Sequence, residues 1–407
     1  MCCYCWCGGG SERKLHTVNR LFYICNALDD TTRLERGIVT DSPAASRKIF
    51  LICQAMRKAG VRPLVISLGR GRQDGSGRYF KSKVCRVNGI PVIYLPFLHW
   101  PVLSELLSLF SIIPILWRTR LLHGVKAALF YNRMPAFLFG VVIARVLRFR
   151  TVLDLEDGEV NLDKLSFRSV KWRVFNWFFD SFCKNGALLA CDALKDMTRL
   201  RPICCCYGTC EAHPALPRQS IFPVTVLFGG TVSLDTGAQL LLDTINALRK
   251  ESPSWAKNIQ FEISGKGDSV AQFELLVDGI RHPKVIVHGR LTDDEYKQLL
   301  ARTHVGLALK PNAGAFAYTT FPSKVIEFAS HGILVVTTDI SDVRKIFTDG
   351  AIYLTEDDAS QLMDELRWIV EQCEAASDLA SRGHHAVADL CSPPNVAQTL
   401  KSFIFDS

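Results

Sequence analysis

The sequence predicts an α/β protein of two domains, each a parallel sheet with crossover helices. Short β-branched runs alternate with helical runs along nearly all of the 407 residues, the pattern of strand–helix–strand units. The alternation halts in the polar, Pro-containing stretch 208–220 and then begins again, which marks a boundary between two such units. An apolar content of 48% and a charged content of 22% suit two cores of ordinary size and argue against extensive disorder.

The elements follow in order. Residues 1–20 form a Cys-rich tail, with Cys2, Cys3, Cys5 and Cys7 in MCCYCWCGGG. It lacks the long apolar core of a secretion signal. A first domain is expected over 21–213. Leu21–Ala27 reads as its first strand, Asp41–Arg47 as a polar turn, and Lys48–Ala59 as a helix. Strands are expected at Leu64–Leu68, Ala127–Tyr131, Thr151–Leu155, Ala187–Cys191 and Ile203–Tyr207, with a Gly/Arg-rich loop at Gly69–Gly77. A second domain is expected over 219–392. Its strands Val224–Phe228, Ile259–Ser264, Val285–Val287 and Val305–Leu309 alternate with helices at Ala238–Lys250, 269–280 and Asp293–Ala301.

Charge is divided between the halves. Residues 1–218 hold 32 Lys and Arg against 16 Asp and Glu, whereas 219–407 hold 16 against 24. A basic half joined to an acidic half points to an anionic partner for the first domain, either nucleic acid or a membrane surface. The apolar segments favour the membrane. Residues 97–117 contain one charge, Glu105, and precede Arg118, Arg120 and Lys126. Pro101, Pro114 and several serines interrupt the run, so an interfacial helix with a cationic flank fits better than a span. A second such segment holds Phe175, Trp177, Phe178, Phe179 and Phe182 behind Lys164, Arg168, Lys171 and Arg173. Both segments also read as core helices of a large α/β domain. No RNA-binding motif is present, and the aromatics do not form a basic stacking platform.

Fifteen cysteines, odd in number and scattered, suit a reduced, cytosolic compartment. The N-terminal cluster and Cys204, Cys205, Cys206 and Cys210 lack paired CxxC spacing. They read better as a tail and as a strand with its loop than as metal sites.

The most informative segment is 321–338, FPSKVIEFASHGILVVTT. Pro322 suits a first helical turn and Gly332 a helix stop. Val325, Ile326, Phe328 and Ala329 share one face, and Ser323, Lys324, Glu327 and His331 form an exposed charged rib on the other. ILVVTT then reads as a central strand. A helix start with Ser323 and Lys324 suits a phosphate, and Glu327 suits sugar hydroxyls. The plain alternative is a surface helix with a Lys324–Glu327 pair.

This segment, with the Asp349-Gly350 turn behind it, resembles the donor-site signature of retaining glycosyltransferases of family 4. The resemblance implies the GT-B fold, two Rossmann-like parallel-sheet domains facing across a cleft, and nucleoside-diphosphate sugars as donor substrates with no other cofactor. It places donor phosphates at Ser323 and Lys324 and the ribose on Glu327. A second Glu is expected eight positions earlier, where this chain has Thr319. VLFGGTVSLDTGAQLLLDTI resembles the family's first strand–loop–helix of the donor domain, with Thr231 and Thr236 at the positions of an Arg and a Lys. Gly289-Arg290-Leu291 resembles its base-contacting loop. The terminal helix 393–407 is expected, by the same resemblance, to pack back on the first domain.

Other candidates follow strands, where parallel sheets bind ligands. Gly229-Gly230-Thr231 and Gly265-Lys266-Gly267 let a backbone approach phosphates, though each alone is also an ordinary tight turn. Glu156 and Asp157, in VLDLEDGEV, stand where the family has a His at a strand tip. There a carboxylate accepts the acceptor's proton or steadies positive charge at the sugar carbon, or else serves as a salt-bridge partner of the basic domain.

No GxGxxG after the first strand, Walker lysine loop, GxSxG elbow or HExxH occurs, which removes the common dehydrogenase, P-loop, hydrolase and zincin readings. What the resemblance implies is a retaining, metal-independent hexosyl transfer to a lipid-linked or polysaccharide acceptor. By the same resemblance, joined to the basic and apolar first half, the expected setting is the inner face of a bacterial plasma membrane, in cell-surface polysaccharide synthesis. Two alternatives remain open: a non-catalytic glycosyltransferase-like binding subunit, and a sugar-nucleotide epimerase of the same architecture.

Overall fold

The computed structural model describes residues 18–73, 79–98, 100–158, 167–211, 213, 222–312 and 319–406. Residues 1–17 of the Cys-rich tail, Glu159, Lys164 and most of the boundary stretch lie outside them, and Arg20, expected in the tail, opens the first strand. The first sheet comprises β1 (Arg20–Cys25), β2 (Arg62–Ser67), β3 (Lys83–Val87), β4 (Ile90–Tyr94), β5 (Lys126–Tyr131), β6 (Arg150–Leu155), β7 (Ala187–Leu189) and β8 (Ile203–Cys205). Their spatial order is β8-β7-β6-β5-β1-β2-β4-β3. All neighbours run parallel except the β3–β4 hairpin. Its tip, Asn88-Gly89, has φ of 49° and 78°, the left-handed pair that a two-residue hairpin turn requires.

Helices cover both faces, so the central strands are continuous apolar runs instead of alternating ones. Residues 21–25 of β1 and 127–130 of β5 are buried throughout. The helix Pro43–Lys58 begins two residues after Asp41, so much of the expected polar turn is the helix's first turn, with Pro43 at the start, where its missing N–H costs nothing. The helix Pro393–Lys401 lies against it. Lys401 Nζ donates to the Ala59 carbonyl at 3.3 Å, and Val396, Leu400 and Ile404 join the core under β1.

The helix Pro101–Thr119 buries an inner stripe of Ser104, Ser108, Ile112 and Leu116, spaced by one turn. Its outer face is apolar as well: Val102 is 73% exposed, Phe110 60% and Trp117 47%. By length and composition Val102–Thr119 is apolar enough to cross a membrane. The helix Phe167–Phe182 repeats the theme, burying Phe179 and exposing Val174 and Trp177.

The second sheet comprises β9 (Val224–Thr231), β10 (Ile259–Lys266), β11 (Lys284–Gly289), β12 (Val305–Ala308), β13 (Leu334–Thr338) and β14 (Ile352–Leu354), in the order β11-β10-β9-β12-β13-β14. All pairs are parallel. Counted within the sheet this is the 3-2-1-4-5-6 order of doubly wound dinucleotide folds, with its switch point between β9 and β12. One expected helix is much shorter than 269–280. It spans Val270–Glu274, because Asp278 accepts from the N–H groups of Ile280 and Arg281, both at 3.1 Å, turning the chain at Gly279.

Candidate functional site

The carboxyl ends of both sheets meet in one cleft. Asp157, just past β6, forms an isolated antiparallel bridge with Thr320. Gly158 N–H donates to the Thr319 carbonyl at 3.0 Å. A Cβ on Gly158 would lie 2.2 Å from Thr319 Oγ1, so only glycine permits this approach. Ion pairs add to the closure. Arg47 reaches Glu327, Lys266 meets Asp41 at 3.0 Å, and Arg290 lies 3.7 Å from Asp41 and 3.4 Å from Asp30. Farther out, Lys345 pairs with Asp192 at 2.5 Å.

The segment that resembles a donor site folds as a helix from Lys324 to Ser330, stopped by Gly332 at φ 65° and followed by β13. Two expectations are corrected. The helix starts after Pro322 and Ser323, and the Ser323 N–H donates back to the Phe321 carbonyl at 2.9 Å, so a turn consumes it. The charged rib is also less open than expected. The side chains of Lys324 and Glu327 are 28% and 16% exposed, covered by Arg47 from the other domain and by Tyr296 from the helix Asp293–Arg302.

Glu327 is the most connected group in the cleft. Tyr296 Oη donates to its Oε2 at 3.1 Å, Lys324 pairs with that same oxygen, and Arg47 takes Oε1. Lys324 Nζ also donates to Tyr296 Oη at 3.0 Å. Burial works to raise the Glu327 carboxyl, but Lys324 and Arg47 outweigh it and hold the group below its ordinary value. Burial raises the Tyr296 phenol first and Glu327 second, to about 12. His331 lies beside the His213 ring, with centroids 4.3 Å apart.

The glycine-rich strand tips converge here. Gly230 and Gly265 have φ of 110° and 144°, and a Cβ on Gly265 would sit 1.7 Å from the Gly230 carbonyl oxygen. A Cβ on Gly229 would lie 3.1 Å from Tyr296 Oη, and one on Gly230 3.1 Å from Lys324 Cε, so the Gly-Gly tip of β9 rests on that pair. Thr231 is exposed. Its carbonyl accepts from Thr236 Oγ1 at 2.8 Å, and Thr236 also closes a capping box with Ser233, which commits its hydroxyl to the turn.

Across the cleft, β6 ends in an acid cluster. Asp154 is fully buried; its Oδ2 accepts from Tyr23 Oη, while Oδ1 has no hydrogen-bond partner among the described residues. Glu156 pairs with Lys48, whose Nζ also donates to the Cys206 carbonyl at 3.0 Å. The Glu156 N–H donates to Asn132 Oδ1 at 2.8 Å. Burial, and next the charge of Glu156, push the Asp154 carboxyl up to about 7. Asp157, open to solvent at the rim, is raised by the protein around it and by Glu156, against Lys310 and Lys48. For Lys48, burial favours the neutral form, yet Glu156 and Asp154 hold the ammonium above its usual range.

The structure thus gathers Glu156, Asp157 and Thr319 on one side, Gly229, Gly230, Lys324 and Glu327 on another, and Lys266 with Arg290 around Asp41. Ser323 stands exposed at the helix start. Sequence reasoning missed Lys48, Tyr296 and Lys310. For Lys310 the signal existed: it lies just past a strand, where ligands collect. Cys204 and Cys205 lie in or at the end of β8, with Cys206 and Cys210 in the segment behind it. Among the described residues no His, Cys, Asp and Glu are grouped to hold a metal ion.

Comparison with known proteins bears on this geometry. Residues 223–372, which hold the second sheet, match the model of the family described as glycosyl transferases group 1. Structures of similar fold include Anabaena HepE in complex with UDP (15% identity, TM-score 0.66, 96% of this chain and 100% of that one). They also include sucrose-phosphate synthase from Thermosynechococcus elongatus (11%, 0.66, 94% and 98%) and TarM (9%, 0.64, 96% and 99%). HepE has further been solved with UDP and glucose and with UDP-glucose. No curated protein sequence matches the chain. The two facing parallel-sheet domains are the GT-B fold.

Proposed function

We propose that the protein is a retaining glycosyltransferase that moves a hexose-type sugar from a nucleoside-diphosphate donor to a lipid-linked or polysaccharide acceptor. The observation that carries this is the placement of Glu327, Lys324 and Tyr296 against the Gly229-Gly230 tip, beside the switch point of the sheet. Glu327 is held ionised to accept two ribose hydroxyls, Lys324 presents charge to phosphate, and the glycines let the donor approach the backbone. Arg290 lies at a strand tip suited to the base.

Catalysis is then largely electrostatic. The bond from the sugar carbon to the phosphate oxygen breaks with its electron pair on the diphosphate, which is stabilised where it leaves. The acceptor hydroxyl forms the new bond on the same face, and its proton passes to the leaving phosphate oxygen. Asp157 and Glu156 face the sugar carbon from the other domain and steady the positive charge that develops there. Closure of the domains limits donor hydrolysis.

A membrane site of action is supported by the outer faces of the first domain. Arg120 stacks on Trp117 at 3.9 Å and Arg199 on Trp177 at 4.9 Å, pairing interfacial aromatics with cations suited to anionic lipid. The reading that goes with it is a peripheral enzyme at the cytoplasmic face of the plasma membrane, acting in cell-surface polysaccharide synthesis. The non-catalytic alternative draws on Thr319, Thr231 and Thr236 at polar family positions. The test is release of free nucleoside diphosphate on addition of lipid acceptor. Binding of the donor without such release, over a panel of acceptors, would favour a binding subunit; donor conversion without acceptor would favour an epimerase.

A further inference from the structure

The proposed reaction needs positive charge at the leaving diphosphate, yet Thr231 and Thr236 stand where the resemblance expects an Arg and a Lys. Lys266, reaching toward Val39 and Asp41 of the other domain, and Lys324, held by Glu327 and Tyr296, are already engaged. Another cation is placed at the switch point itself. The β9–β12 register pairs Phe228 with Leu307, and continuing it three residues brings Lys310 level with Thr231. The backbone there is fixed by Thr337, whose Oγ1 donates to the Ala308 carbonyl at 3.1 Å, and by Thr338, whose Oγ1 donates to the Lys310 carbonyl at 2.6 Å.

The Lys310 ammonium is half-buried and donates to the Thr320 hydroxyl and, among the described residues, to no carboxylate. Asp157 from the first domain and Asp235 from the Thr231–Thr236 loop act on it through space. These neighbours locate it between the acid cluster, the β9 loop and the segment before Lys324. Burial lowers its pKa, and the two acids offset this in part, so an arriving phosphate would gain a partner that is only partly compensated.

We infer that Lys310 is a second cation, beside Lys324, that meets the donor's diphosphate, in place of the two cations absent at Thr231 and Thr236. This rests on the transferase reading. As the bond to the sugar carbon breaks, the electron pair stays on the phosphate oxygen and the ammonium neutralises it. Lys310 gives up no proton; the acceptor's proton goes to that same phosphate oxygen.

The experiment titrates the full chain with UDP, ADP and GDP, and then with the monophosphate of whichever binds most tightly. Wild type should prefer the diphosphate. Lys310→Met should weaken the diphosphate by roughly 10–100-fold, the loss of one charge-assisted contact, with little change for the monophosphate. Lys310→Arg should retain most of the preference. Lys310→Gln, which keeps a donor for Thr320, carries the test if the Met variant does not fold. An undiminished diphosphate preference in a folded Met or Gln variant overturns this assignment alone. Wild type that binds none of the diphosphates overturns the transferase reading as well.

Discussion

Arg47 of the first domain and Glu327 of the second form an ion pair across the cleft, and Glu327's other oxygen is held by Lys324 and Tyr296. Both carboxylate oxygens that would bind a ribose are therefore engaged while the domains are closed. Lys266 with Asp41 repeats the arrangement at the next strand tip. Donor entry has to exchange these contacts for contacts with the nucleotide, so closure and donor binding draw on the same side chains.

Closure should respond to salt. Pairs with one partly exposed partner, such as Arg47–Glu327 and Lys266–Asp41, are open to screening from the solvent side, and at about 1 M salt the screening length falls to about 3 Å. The radius of gyration from small-angle scattering should rise between low and high salt. Asp41→Asn with Arg47→Gln should be expanded already at low salt and change less thereafter. A radius independent of both salt and substitution would contradict this.

Asp154 makes stability depend on pH in a stated direction. Its folded-state value is raised to about 7, by burial first and Glu156 second, against about 3.9 in an unfolded chain. Between those values the folded protein holds a proton the unfolded chain has lost. The contribution is full below about 4 and is lost as pH rises through about 7. Asp154→Asn cannot titrate. The melting temperature of wild type minus that of the variant should fall by a few degrees from pH 5 to pH 8. A difference that is flat or grows with pH would count against it.

The outer face of the helix Pro101–Thr119 gives a separable prediction. Phe110 and Trp117 are 60% and 47% exposed, so replacing both by Ser should leave the melting temperature nearly unchanged. Binding to vesicles with anionic lipid should weaken by about tenfold or more, given ~1.5–3 kcal/mol for burying one such side chain. Wild-type binding should also weaken with salt. Equal vesicle binding by wild type and variant would exclude this face.

Much of the fold was legible because both sheets are buried on both faces, and β1, β5, β9 and β13 therefore read as continuous apolar runs. The β3–β4 hairpin was not legible although Asn88-Gly89 marks its turn, because an antiparallel pair departs from the crossover pattern of the rest of its sheet. Glu327, Lys324 and the glycine tips were legible because they lie within short local motifs. Lys48 was not: its partner Glu156 is 108 residues away, and nothing local to Arg47-Lys48 selects it. Tyr296 was hidden likewise, on a helix whose capping box at Thr292 and Glu295 explains the helix but not the tyrosine's direction.

The central claim is that the cleft around Glu327 binds a nucleoside-diphosphate sugar. The direct measurement is calorimetric titration of nucleoside diphosphate into wild type, Glu327→Ala and Lys324→Ala. The account predicts binding by wild type and a loss of roughly tenfold or more in each variant, the size expected for truncating a buried, charge-paired contact. Equal affinity in all three proteins, each folded by thermal melting, would contradict it.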